Sequence, residues 1–192
     1  MPRTKEQFLE MKDERRESIL NAALPLFSIG QKVTIDGICE KAKCSHGIVY
    51  HYFKNVNQIY EKLLKLPEFL ELKQNLLEDS EGSTYEKIEH IVSILLDFKP
   101  TDISKISYLN ILIKSRDKDS VFSLISKLIK LGQSSGSIVG GDPIKITETF
   151  FLIFNGLYLP FLLEKHPDIK VPSLETVMQF IRKPSNFSRQ IL

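Results

Sequence analysis

The chain has 192 residues, 42% of them hydrophobic, and a formal net charge of +2. That apolar content supports a sizeable core and excludes a disordered chain, while the near-neutral total gives no global pull toward polyanions. Residues 1–65 carry 11 Lys/Arg against 8 Asp/Glu and the rest of the chain 15 against 16, so the modest basic excess lies at the N-terminal end and suits a dimer better than a lone module.

The dominant period is helical and no run alternates as a strand would, which predicts an all-α protein. Thr4 with Gln7 resembles a capping box. It opens a helix whose apolar stripe runs through Phe8, Met11 or Lys12, Ile19, Ala22, Ala23, Leu26 and Phe27 to Gly30. Pro25 within it removes one backbone hydrogen bond and is expected to bend it. Thr34 caps a helix over about 35–42, Lys43 and Cys44 turn, and Ser45 caps a helix over about 46–52. Asn55 and Gln58 form a cap-and-return pair for the next helix, which Pro67 interrupts or ends. Further helices are expected over about 67–77, from Ser83 (boxed with Glu86) to Phe98, and from a Thr101 cap to about Lys114. Others are expected from Asp117–Asp119 to about Ser134, from Pro143 to near Glu164, and from a Ser173 cap to about Arg182, with a frayed tail from Pro184. The organisation read from this is a three-helix unit over 1–54 and a larger helical unit over 55–192.

Residues 34–53 form two short helices around a tight turn, with Ile35, Ile38, Cys39, Ala42, Val49, Tyr50 and Phe53 spaced to face one core. Such a pair can hold its second helix against the major groove of DNA. Gly47 is costly inside so short a helix, by about 1 kcal/mol against alanine, and a close approach of another backbone would explain it.

The run Leu20-Asn-Ala-Ala-Leu-Pro-Leu-Phe27, then Gly30, Thr34-Ile35, Ile38-Cys-Glu-Lys-Ala42 and Ser45-His-Gly-Ile-Val-Tyr-His-Tyr-Phe53 resembles the DNA-binding domain of the tetracycline-repressor (TetR-like) family. The closing Gly-x-x-Tyr-x-Tyr-Phe is its most specific part. Leu131-Gly-Gln133, Gly136, Asp142-Pro143 and Asn155-Gly-Leu157 resemble the family's last two core helices and the loop before them. The resemblance implies that Thr34 meets a phosphate, that Ser45, His46, Gly47 and Ile48 meet the groove, that Tyr50 (partly in the core) and His51 lie along the backbone, and that Lys54 adds a phosphate contact. By chemistry, Ile48 suits a thymine methyl, and His46 a guanine acceptor or a phosphate. The sequence departs from the pattern in a shorter loop between Phe27 and Thr34, in Lys43 where a turn glycine is usual, and in Val56 where a phosphate-binding lysine is frequent.

Cys39, Cys44, His46 and His51 invite a zinc reading, but their spacing lacks the long loop between ligand pairs that finger sites use. No metal and no cofactor is expected. Cys39 reads as a small core residue, with a redox role for Cys44 as the sharper alternative. The apolar positions of residues 67–163 read first as core. In a ligand-responsive regulator, Phe69, Ile94, Phe98, Tyr108 and Phe122 would line a cavity for a small apolar effector. The helix from Pro143 is apolar on more than one face, which predicts a two-fold four-helix homodimer interface through Phe150, Phe154, Tyr158, Phe161, Val177 and Phe180.

The reading is therefore a homodimeric repressor on a pseudo-palindromic double-stranded DNA operator, not an enzyme. No paired-carboxylate, Ser-His-Asp or phosphate-loop pattern is present. The alternatives are a DNA-binding factor without an effector, or an enzyme using the apolar cavity. The polar N-terminus and the longest apolar run, Thr149–Leu163 with Asn155 and Pro160 inside it, predict neither secretion nor a membrane span. The two cysteines fit a reducing cytoplasm.

Overall fold

The computed structural model describes residues 5–30, 32–78, 81–163 and 169–183, with side chains from residue 11 onward. The Thr4 cap, the expected helix end at Glu164 and the tail from Pro184 lie outside these residues, and the Phe8 side chain outside the described side chains. The described residues form ten helices and one isolated bridge between Ile138 and Arg182, with no strand among them.

In chain order these are α1 (Lys5–Ile29), α2 (Ile35–Ala42), α3 (His46–Tyr52), α4 (Val56–Leu63), α5 (Pro67–Leu77), α6 (Thr84–Leu96), α7 (Ile103–Lys114), α8 (Val121–Ser135), α9 (Pro143–Leu162) and α10 (Leu174–Met178). Helix α1 runs unbroken through Pro25, with the Ser28 hydroxyl donating to the Pro25 carbonyl at 2.8 Å.

Most of the described helix starts follow side-chain caps, α3 and α5 excepted, in places one or more residues from the expected ones. The Ser83–Glu86 box is complete, and Ser173 caps α10. Helix α7 is capped by Asp102 rather than Thr101, and α8 by Ser120 rather than Asp117–Asp119. In each case the residue beside the first apolar turn supplies the oxygen, because only there does it reach the third N–H of the helix. Helix α6 stops at Leu96, short of Phe98, and α10 ends at Met178, short of Arg182. At Asn55 the cap holds, accepting from the Gln58 N–H at 2.9 Å, but the Gln58 side chain returns to the Lys54 N–H at 2.6 Å.

Helix α7 is the centre of the molecule, buried from Ile106 to Ile113, and α1 and α9 pack against it. Its Asn110 donates to the Ser28 carbonyl at 3.0 Å, and Lys114 to the Ser28 and Ile29 carbonyls at 2.6 and 3.3 Å. These bonds satisfy the orphan carbonyls at the end of α1 and tie the N-terminal unit to the rest. Burial pushes the Lys114 amine below its usual range. One apolar cluster runs from Ile19 and Ile38 through Ile106 to Phe154 and Ile181, so the two units share a continuous core.

Candidate nucleic-acid interface

Helices α1, α2 and α3 pack through Ile19, Leu20, Ile38, Cys39, Val49 and Phe53, all buried. That leaves the other side of α3 outward. Ser45, His46, Gly47, Tyr50 and His51 are exposed, and Ile48 is half-buried. Tyr50 is 56% exposed and so stands outside the core it was expected to share, while Tyr52 takes the half-buried place.

Helix α2 begins at the surface. The Thr34 oxygen accepts from the Gly37 N–H at 3.2 Å, which leaves its own hydroxyl proton free to donate. Asp36 in the same first turn would repel a phosphate, but its carboxylate lies 2.5 Å from His46 Nε2. A carboxylate only accepts, so Nε2 carries the proton and Nδ1 faces away from the pair. In the neutral ring Nδ1 is an acceptor, which matches an adenine or cytosine amino group. Donation to guanine or phosphate, the expected role, requires the imidazolium.

Lys43 closes α2 at φ 50° and ψ 51°, the left-handed geometry usually given to glycine. Ser45 starts α3 from an extended backbone, but its side chain makes no cap hydrogen bond. Lys54 is exposed just beyond α3, and Val56 begins α4 half-buried.

Spacing did not reveal the part played by α1. Met11, Lys12 and Arg15 form one wall of a surface groove whose other wall is Ser45, Gly47, Ile48, His51 and Tyr52. Two cations therefore flank the exposed face of α3. The cations Lys12, Arg15 and Arg16, interrupted by Asp13 and Glu14, were the available signal, but only packing sets which face of α1 each joins. Arg16 is turned instead over the Phe53 ring, 5.8 Å from its centre. Among the described residues no group of three or more His, Cys, Asp or Glu side chains is placed to hold a metal ion. No helix among them is long and apolar enough to cross a membrane.

The same architecture recurs in solved structures. A protein described as a TetR-family transcriptional regulator from Rhodococcus sp. aligns over 86% of this chain and 94% of its own, with TM-score 0.52 and 21% identity. This is the fold of the TetR-type regulators. The ketosteroid transcriptional regulator KstR2 of Mycobacterium tuberculosis aligns over 88% of this chain and 96% of its own, with TM-score 0.55 and 15% identity. SmeT in complex with triclosan aligns over 93% and 96%, with TM-score 0.51 and 15% identity. No protein-family model and no curated protein matches the sequence.

Within the TetR-type fold, the residues expected around an effector do not converge. Phe69 and Tyr108 pair at 5.6 Å between ring centres, whereas Phe98 packs on Tyr158 and Phe161, and Phe122 on Phe151 beneath Arg116. Ile94 is half-buried against the core. A cavity of about 140 Å³ lies instead among Tyr60, Phe69, Lys73, Ile111, Asp117 and Val121. Only Phe69 of the expected set lines it. Tyr108 lines a separate open groove with Glu68 and Lys105. Burial and the nearby Asp117 carboxylate push the Tyr60 phenol above its ordinary value.

The expected interface residues are also placed differently. Phe150, Phe154, Tyr158, Phe161 and Val177 are buried within the chain itself, and the Tyr158 hydroxyl donates to the Leu95 carbonyl at 2.6 Å. Phe180 alone of that set is exposed, at 64%. Over its first half α9 leaves Ile144, Lys145, Glu148 and Thr149 exposed, and over its second half Leu152 and Gly156, with Ile153, Leu159 and Pro160 half-buried beside them and Leu163 exposed just beyond its end. The period argument found two apolar faces but assigned the larger aromatic one to a partner, when its own core took it.

Proposed function

We propose that this protein is a homodimeric, DNA-binding transcriptional repressor in the cytoplasm, responsive to a small, largely apolar effector. The observation that carries the reading is the exposed face of α3, left open by the described residues and flanked by Lys12 and Arg15. In this reading Gly47, Ile48 and His46 meet base edges, while Thr34, Tyr50, His51, Lys54, Lys12 and Arg15 hold the backbone. Each protomer supplies one α3, and two of them reach successive major grooves about 34–36 Å apart.

The dimer forms through the outer stripe of α9 and Phe180. Residues 152, 156, 159 and 163 share one helix face, and an exposed apolar stripe of this length calls for a cover. The effector site is the cavity bounded by α4, α5, α7 and α8. Its polar rim of Lys73, Asp117 and Ser115 would orient a compact ligand, with an aromatic ring about the size limit for such a volume. That the aligned SmeT structure holds triclosan supports a ligand site in this fold. The cavity adjoins α7, which caps α1 through Asn110 and Lys114, so a ligand there can bias the position of α1. A coupling of about 1–3 kcal/mol changes operator affinity about 5–150-fold.

The reading is tested by selecting bound oligonucleotides from a random duplex pool. A two-fold related consensus is expected. The His46→Ala/Tyr50→Ala double variant should lose it while keeping its oligomeric state by light scattering. Undiminished binding by that variant would mean that α3 does not read DNA.

A further inference from the structure

Both cysteines of the chain lie in the helix-turn-helix, and the DNA reading uses neither. The end of α2 brings them together. Lys43 is left-handed, its N–H donates to the Glu40 carbonyl at 3.3 Å, and the Cys44 N–H donates to the Cys39 carbonyl at 3.0 Å. These two bonds define a Schellman helix end, which places the side chains at its two ends in contact, ordinarily as an apolar pair. Here those two positions hold Cys39 and Cys44, both free thiols.

We propose that Cys39 and Cys44 form a thiol–disulfide modification site whose oxidation weakens DNA reading. The effect on DNA rests on the function proposed above; formation of the disulfide does not.

The two thiols have different roles. Cys44 is half-exposed and Cys39 buried. Burial, the adjoining Cys44 thiol and Asp36 push the Cys39 thiol up, which makes it the slower nucleophile. The Cys44 thiolate therefore attacks first, on a small disulfide such as oxidised glutathione. A bond forms between Cys44 Sγ and one glutathione sulfur, the glutathione S–S bond breaks, and one glutathione leaves with the electron pair. Cys39, having released its proton to water, then attacks Cys44 Sγ and expels the second glutathione. The two cysteines together lose two electrons and two protons, and the small disulfide becomes two thiols.

The new bond draws the sulfurs to about 2.05 Å, closer than any thiol contact. Cys44 directly precedes Ser45, whose side chain does not cap α3, so the start of α3 is set by the backbone through Cys44. Pulling Cys44 toward α2 tips the turn that carries His46 and Gly47.

The test equilibrates the full chain in glutathione buffers from fully reduced to fully oxidised. Thiols are counted, intact mass is measured, and affinity is read on a duplex selected by the reduced protein. Wild type should lose both thiols and two hydrogen atoms without retaining glutathione. Its affinity should fall about tenfold, the equivalent of one good base contact, and return with a reductant. Cys44→Ser should bind DNA equally in every buffer, and Cys39→Ala should keep glutathione on Cys44. Surviving thiols in the most oxidising buffer, a persistent glutathione adduct on wild type, or a disulfide with unchanged affinity would each overturn the proposal. If the reduced protein selects no DNA, the function proposed above fails and the switch fails with it, while mass still reports whether the disulfide forms.

Discussion

Gly47 sits in the first turn of α3 with open space on its outer side: the nearest atom a Cβ would meet is Ser45 Oγ, at 4.0 Å. Nothing among the described residues requires a glycine there, which fits a requirement imposed by a bound duplex. Gly47→Ala is expected to raise stability by about 1 kcal/mol, the usual gain in an exposed helix, yet weaken binding to the selected duplex. Chemical denaturation and anisotropy on one sample test both; a stabilised variant that binds as well as wild type would remove Gly47 from the interface. Lys43 is the reverse case. A side chain in the left-handed region costs about 1–2 kcal/mol, so Lys43→Gly should stabilise the domain by up to about 1 kcal/mol, seen as a higher denaturation midpoint at unchanged slope. The turn at Lys43 was legible from local pattern. The tie between His46 and Asp36 was not, because it joins residues on two helices and depends on their packing.

Helix boundaries were legible where one side chain and one nearby N–H decide them. Ser83 and Glu86 are such a pair, with the Ser83 N–H donating to Glu86 Oε2 at 2.7 Å. The Ser83 backbone and hydroxyl hold the Glu86 carboxyl below its ordinary value of 4.5. A carboxyl whose folded value is depressed contributes stability above its unfolded value and loses it as pH falls through the folded one. Thermal unfolding of wild type should therefore weaken from about pH 4.5 downward more steeply than that of Glu86→Gln, and parallel curves would show that the box contributes nothing. At α7 and α8 several cap-type residues stand in a row, and the winners, Asp102 and Ser120, were set by where the first buried turn begins. Gly132 in α8 is another tertiary choice. A Cβ there would lie 2.4 Å from Ile138 Cδ1, so the helix needs glycine for the chain that folds back over it.

For the whole molecule, the decisive question is which face of α9 is covered by its own chain. Phe154 is fully buried, so Phe154→Glu should abolish cooperative folding, since an unpaired buried charge exceeds the ordinary range of about 0.5–3 kcal/mol for a substitution. Leu152 is 66% exposed, and Leu152→Glu should leave the helical content intact while converting dimers to monomers by light scattering. A dimer that survives Leu152→Glu would place the interface elsewhere. Fold class, helix order, the helix-turn-helix and the outward placement of His46, Gly47 and His51 were legible in the sequence alone, because periods, caps and turns act over a few residues, whereas the outward turn of Tyr50 was not. The choice of cavity walls, the outer stripe of α9, the cations that α1 lends to α3 and the Asn110–Ser28 bond across 82 positions required the tertiary structure. Each depends on which of several similar apolar faces find one another, and a helical period gives every face the same signature.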